Sequence, residues 1–291
     1  MDVRQDPKTS RPQLREISPD EAKRICRFVL QTSGISVIPE KNRFLEARLG
    51  PLLERFGASD YWTLLTTARA DSSGNTAQAI IDAISTNETR FFRDIGPFDL
   101  LQHKILPYLA STRQPDSSGR IPIRIWSAAC STGQEIYSLA MCIKESLLNL
   151  KPYRITLVGS DISLQALDRA REGVYSKFEI ARGLNQTKLR KFFTPQGNSY
   201  KIRQEIRDMV SFRAVNLLDP VNGFKEWDVI FCRNVAIYFR QDHRKWLFDQ
   251  LANALEPDGF LVAGASESLA AMCSRFIPKM FSSCTYYQRR F

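Results

Sequence analysis

The 291-residue sequence predicts a helical N-terminal domain followed by an open α/β domain that carries a small β-rich insertion. Three observations support this. Apolar residues recur at helical spacing through residues 1–85, with no competing strand signal. Beyond residue 115, short β-type runs alternate with amphipathic helical stretches, the pattern of a largely parallel sheet covered by helices. A basic stretch at 176–213 interrupts that alternation. The composition, 43% hydrophobic and 25% charged, is that of a chain able to bury a core. No apolar run approaches the ~20 residues of a membrane span, so membrane insertion is not expected.

Residues 1–15 are polar and contain two prolines, and are expected to form a loose tail. Ser18-Pro19-Asp20-Glu21 starts a helix: Ser caps it, Pro fits its first turn, and Glu stands three residues after the cap. Ile25, Phe28, Val29 and Thr32 follow at helical spacing until Gly34. Phe44, Leu45, Leu49, Leu52, Leu53 and Phe56 continue the pattern, with a break or kink expected at Gly50-Pro51. Asp60 caps a third helix through Tyr61, Leu64 and Leu65, and Ile80, Ile81 and Ile84 mark a fourth. Residues 86–118 read as a linker, ending in the turn-rich Gln114-Pro115-Asp116-Ser117-Ser118-Gly119.

The second domain, 119–291, opens with a strand over Ile121–Trp126 and a helix over Gln134–Asn149. A strand at Arg154–Gly159, a helix at Leu164–Arg171, a strand at Trp227–Cys232 and a helix at Gln241–Leu255 follow. Pro257-Asp258-Gly259 is expected as a turn before a strand at Phe260–Ala263, and Thr285–Gln288 as a last, antiparallel edge strand. Within the insertion, Gly197-Asn198 predicts a hairpin between Phe192-Phe193 and Tyr200-Lys201-Ile202, and Met209–Val215 a further strand.

Net charge is +10, and the insertion alone holds nine basic against three acidic residues. Such a patch attracts an acidic partner, the alternative being a solvated face with none. The six cysteines contain no CxxC pair and read as reduced, mostly buried thiols of a cytoplasmic protein. With two histidines, His103 and His243, and no ligand spacing, no metal site is expected; both read as structural.

In an open α/β sheet, ligands bind beyond the carboxyl ends of the strands. The loop after the first strand reads Ser127-Ala128-Ala129-Cys130-Ser131-Thr132-Gly133-Gln134-Glu135. Its small side chains admit a ligand to the backbone, and the following helix offers free N–H groups. GxGxxG and GxxxxGK[ST] are both missing, so pyrophosphate or triphosphate has no evident cradle. Asp161, ending the second strand, stands where nucleotide folds place a carboxylate on ribose hydroxyls. Together these suggest a ribose ligand without phosphates; the competing reading is a tightly packed strand–helix turn.

Six segments carry a resemblance. They are Thr86-Asn87-Glu88-Thr89-Arg90-Phe91-Phe92-Arg93; Trp126 through Met141, including the loop just quoted; Asp161-Ile162; Val215-Asn216-Leu217-Leu218; Phe231-Cys232-Arg233-Asn234-Val235-Ala236-Ile237-Tyr238-Phe239; and Gly264-Ala265-Ser266-Glu267-Ser268-Leu269. In this order they resemble the chemotaxis receptor methyltransferases, the CheR family, over roughly residues 17 to 290. Ile136 departs from the Pro or Ala often found there, which affects local packing rather than chemistry. The resemblance implies a Rossmann-like class I methyltransferase domain with an inserted β-subdomain, preceded by the helical domain. It also implies a monomer that uses S-adenosylmethionine, without metal, to esterify glutamates of chemoreceptor cytoplasmic domains, releasing S-adenosylhomocysteine.

Carried over residue by residue, the resemblance implies that Asn87, Thr89 and Arg93 reach the cofactor from the linker and that Ala128 borders it. Glu135 holds the methionine amino group and Asp161 the ribose. Asn216 and Leu217 flank the adenine, Arg233 and Asn234 lie alongside, and Tyr238 stands near the methyl group. A glutamate, with a pKa of about 4.3, is already an anion at neutral pH, so alignment rather than a general base is the expected demand. Arg93 and Tyr238 are the expected orienting pair. Phe91-Phe92 reads as core packing. The insertion, through Lys188, Arg190 and Lys191, is expected to attract the acidic receptor, or its edge to capture a receptor C-terminal peptide. Nucleic-acid methylation finds little support: Arg233-Asn234-Val235 replaces the usual [DN]PP[YFW] loop, and no nucleic-acid partner is expected. A catalytically silent, cofactor-binding adaptor is the remaining alternative.

Overall fold

The computed structural model of the protein describes residues 15–220, 223–269 and 272–290; the expected tail falls, but for Arg15, outside them. Two units divide the chain: residues 15–32 with 36–84, and residues 33–35 with the described residues from 85 onward.

In the first unit, Ser18 and Glu21 form the cap that their spacing predicts. Glu21 N–H donates to Ser18 Oγ at 3.3 Å, and Ser18 N–H donates to Glu21 Oε2 at 2.9 Å. They open α1 (Pro19–Ser33), which buries Ala22, Ile25 and Val29. Of the break or kink expected at Gly50-Pro51, the break is not formed: α2 (Asn42–Arg55) runs on through Pro51. Leu49 and Leu52 are buried on either side of the proline, which offsets the hydrogen bond it cannot donate. Asp60 caps α3 (Tyr61–Ala70) by accepting Thr63 N–H at 2.6 Å. Ile80, Ile81 and Ile84 are buried along α4 (Asn75–Ile84).

The second unit begins with a departure. The stretch expected as a linker folds into α5 (Gly96–Leu100), a π-helical turn at Leu101–Ile105, and α6 (Leu106–Thr112). Phe98, Leu101, Ile105 and Leu109 recur at three- and four-residue steps and are all buried in the core. Their period is helical, so the segment is part of the α/β unit rather than a tether.

Seven strands form the main sheet: β1 (Ile121–Ala128), β2 (Tyr153–Asp161), β6 (Val210–Ala214), β7 (Trp227–Cys232), β8 (Leu255–Ala263), β9 (Phe276–Phe281) and β10 (Cys284–Arg289), in the order β6-β2-β1-β7-β8-β10-β9. The first five in that order are parallel, while β10 runs antiparallel to β8 and β9. The mostly parallel α/β fold read from the alternation is therefore present. β1 sends Ile123 and Ile125 into one core and Trp126 and Ala128 into the other, as a central strand covered on both faces must. Around the sheet lie α7 (Gln134–Ser146), α8 (Leu164–Glu172) and α12 (Gln241–Ala254).

Two strand expectations change. Pro257-Asp258-Gly259 is not a turn before β8 but an irregularity inside it, where the register against β7 slips between Trp227 and Val229. β10 is antiparallel but interior; the edge strand is β9, whose mostly exposed residues and Pro278 hide its sheet partner.

The insertion folds as a separate three-stranded sheet, β3 (Val174–Ser176), β5 (Ser199–Ile202) and β4 (Phe193–Gln196), with α9 (Lys177–Ala181), α10 (Gln186–Phe192) and α11 (Gln204–Arg207). The Gly197-Asn198 hairpin joins β4 to β5. The last strand assigned to it by sequence, β6, belongs instead to the main sheet, where Leu157 of β2 pairs with Val210.

Candidate active site

From β1 the chain moves outward to β2 and β6, then returns to β7 on the other side. This places the reversal of strand order between β1 and β7, the position where such sheets bind ligands. A cleft opens there.

Its floor is the loop after β1. Ala129, Ser131 and Gly133 all adopt positive φ, at 60°, 51° and 94°, a sequence of strained turns of the kind that gathers at functional sites. At Gly133 only glycine fits: a Cβ would come within 2.9 Å of Ala170 Cβ. The coiled loop aims Ser131 N–H at Asp161 Oδ2, 2.8 Å away, and Ser163 N–H donates to Asp161 Oδ1 at 2.9 Å. Asp161, buried at the carboxyl end of β2, is thus held in place on the cleft wall. Ala128, expected beside the ligand, is fully buried in the core; Ala129 lines the cleft in its stead.

Glu135 stands in the first turn of α7, where the helix dipole favours an acid. Ser127 Oγ donates to its Oε1 at 2.8 Å, and Arg233 Nη1 donates to its Oε2 at 2.9 Å. Arg233, at the end of β7 with its side chain 1% exposed, also donates through Nη2 to the Arg93 carbonyl and to Asp94 Oδ2, both at 2.9 Å. One buried guanidinium therefore joins the loop after β1, the strand β7 and the Asn87–Arg93 segment. Asn234 (φ 59°) follows. Its N–H and that of Gly264 donate to Glu267 Oε2 at 2.7 and 2.8 Å, so a buried glutamate braces the second loop.

The Asn87–Arg93 segment is anchored by its aromatics. Phe91 is fully buried, packing edge-on against Tyr175 and Phe193, and Phe92 N–H donates to Ser138 Oγ at 3.0 Å. These contacts leave Asn87, Thr89 and Arg93 on the cleft wall. Arg93 Nη1 donates to the Glu88 carbonyl at 3.1 Å, and among the described residues its guanidinium forms no ion pair. Opposite, Leu217 is buried and Leu218 N–H donates to Asn216 Oδ1 at 3.1 Å. Tyr238 closes the short 3₁₀ turn Ala236–Tyr238, half-buried against the cleft, and Ile35 bridges to Phe239 beside it.

The structure thus gathers Asn87, Thr89, Arg93, Glu135, Asp161, Asn216, Leu217, Arg233, Asn234 and Tyr238 around one cleft. It places Lys188, Arg190 and Lys191 elsewhere, on α10. Lys188 pairs with Glu145 and lies 4.9 Å from the centre of the Phe92 ring; Lys191 reaches Glu145 at 3.5 Å. Ser127, Asp94 and Glu267 were not singled out from sequence. Each acts through a partner distant in sequence or through a turn, and spacing gives no sign of either.

The donor set fits S-adenosylmethionine. Two fixed carboxylates in the cleft repel phosphate but suit an ammonium and a ribose diol, and Leu217 with Val215 offers an apolar flank to a purine. Among the described residues, no helix is long and apolar enough to cross a membrane.

The family model and the sequence relatives agree. The family model described as "CheR methyltransferase, SAM binding domain" matches residues 87–284. Chemotaxis protein methyltransferase 1 of Vibrio cholerae is 37% identical over 89% of this chain and 93% of its own length. Chemotaxis protein methyltransferase Cher2 of Pseudomonas putida is 34% identical over 90% of this chain and 95% of its own. Among solved structures, a TehB-like SAM-dependent methyltransferase from Corynebacterium glutamicum aligns with a TM-score of 0.38 and 12% identity, covering 65% of this chain and 87% of that one.

Proposed function

This chain belongs to the CheR methyltransferase family, and from that premise we propose that it methylates glutamate carboxylates in the cytoplasmic domains of chemoreceptors, giving glutamate methyl esters and S-adenosylhomocysteine. The observation that carries the reading is the meeting, on one cleft, of two fixed carboxylates with an arginine free of ion pairs among the described residues. Asp161 and Glu135 are the groups to hold the ribose hydroxyls and the amino group of S-adenosylmethionine. When bound, that cofactor supplies an electrophilic methyl group on a sulfonium whose departure as a thioether needs no proton.

The remaining demands fall on this chain's residues. An incoming glutamate is already ionised, so its carboxylate needs alignment and the loss of water. Arg93, tethered by one nitrogen to the Glu88 carbonyl, keeps the rest of its fork for a carboxylate and fixes that group in a plane. Tyr238 shares the contact, which limits how far the ion pair quenches the nucleophile. The basic face of α10 guides the acidic receptor, and the outer strands β3 and β4 offer edges to which a receptor's terminal peptide can add.

The test is incubation of the protein with methyl-labelled cofactor and receptor cytoplasmic fragments. Base-labile label on glutamate is expected. Binding of the cofactor with no ester formed on any receptor fragment would leave only the silent adaptor.

A further inference from the structure

Arg182 follows α9 in the insertion, yet its guanidinium reaches the Asn87–Arg93 segment and pairs with Glu88. The approach is built into the backbone: a Cβ on Gly183 would lie 1.9 Å from the Phe91 carbonyl oxygen, so only glycine lets the insertion come this close. Arg182 also lies 5.6 Å from the centre of the Phe178 ring, which limits where its fork can point. Nearby, Arg90 pairs loosely with Asp94 at 3.6 Å. With Arg93, the groups Arg182, Glu88, Arg90 and Asp94 surround a polar surface pocket that shares Glu88, Thr89 and Arg93 with the main cleft. Three guanidiniums face two carboxylates here, and Asp94 is drawn inward as well by the buried Arg233. The Glu88 carboxyl is held below its ordinary range, first by the hydrogen bond from Arg182 and then by the charges of Arg182, Arg93 and Arg90.

We infer that Arg182 and Arg90 form a second carboxylate subsite at the mouth of the cleft, selecting acceptor segments that carry another acidic side chain beside the glutamate to be methylated. The inference rests on the reading of the cleft given above and adds a determinant of substrate choice. Exposed ion pairs such as Arg90–Asp94 and Arg182–Glu88 are individually weak, so an incoming carboxylate can replace either internal partner. Arginine forks suit that exchange because they bind a carboxylate bidentately. Arg93 lies on the wall common to both spaces, so a carboxylate at the mouth stands next to one aligned in the cleft. Arg182 and Arg90 select; they do not touch the reacting atoms.

Two helical peptides test this, identical except that the residue flanking a single target glutamate is Glu in one and Gln in the other. The full-length protein is expected to methylate the Glu-flanked peptide with kcat/KM about tenfold higher, the scale of one charge-assisted contact, mostly through KM and less so at high salt. In Arg182→Gln and Arg90→Gln variants that preference should disappear while the rate on the Gln-flanked peptide stays near wild type. Equal rates on both peptides with the wild-type protein would overturn the subsite alone. So would a uniform fall in kcat on both peptides in the Arg182→Gln variant, which would make Arg182 a brace for the Asn87–Arg93 segment. No ester on either peptide would overturn the reading of the cleft along with it.

Discussion

A single guanidinium, that of Arg233, pairs with both Glu135 and Asp94 and also holds the Arg93 carbonyl. Taking away one member of a buried pair strands the other charge, a loss of about 3–5 kcal/mol. Arg233→Met is therefore expected to lower unfolding free energy by about 3 kcal/mol in urea titration and to abolish cofactor binding by calorimetry. The Arg233→Met/Glu135→Leu double variant should regain much of the stability and none of the binding. An Arg233→Met protein as stable as wild type would show that the pair contributes nothing to the fold. At this scale the sequence named the acting residues by type but hid their supports. Arg233 and Glu135 stand in quoted motifs 98 positions apart, and nothing in either motif says that they touch. Lys188 shows the reverse: a basic residue that reads as surface charge is half-occupied by Glu145 and Phe92.

Among the elements, the insertion is the one whose extent the sequence misjudged. Its hairpin was legible because Gly197-Asn198 supplies turn chemistry. Its end was not, because β6 carries the same β-type residues whichever sheet it joins, and only its pairing with Leu157 through Asp161 decides. The span α5–α6 reads as a connection despite its plain apolar period, because a polar motif and a turn-rich stretch flank it. The close contact of the insertion with the Asn87–Arg93 segment gives a test at the same scale. Gly183→Ala forces the Phe91 carbonyl away, and overpacking of this kind costs about 1–3 kcal/mol. Methyl transfer should fall more than stability does, since Arg93 lies two residues beyond Phe91. Full activity with an unchanged melting temperature would mean that the segment yields freely. For receptor guidance, Arg190→Glu is the informative variant, because a glutamate at 188 or 191 would also repel Glu145. Association with receptor fragments should weaken at low salt and recover as salt shortens the screening length; unchanged binding at low salt would discard α10 as a guide.

For the whole molecule, the alternation of strand and helix signals was enough to read a parallel α/β sheet, because a two-face-covered strand such as β7 is buried at all six positions and therefore reads as an unbroken apolar run. The same covering decides the pH behaviour. All six thiols are buried, and burial raises the pKa of each, Cys142 to about 12. A thiol whose pKa is raised stays protonated and neutral through the physiological range, so none can supply a titrating nucleophile or base there. His103 and His243 stand away from the cleft lining. The only ionisation the proposed chemistry requires is that of the acceptor glutamate, complete well above about pH 4.3. At saturating receptor and cofactor, kcat should therefore be level from about pH 6 to 8.5 and fall only as the acceptor carboxylate becomes protonated. A bell-shaped profile, or an acid limb near the ordinary histidine pKa of about 6.5, would show that a proton acceptor takes part and would remove alignment as the sole catalytic demand on Arg93 and Tyr238.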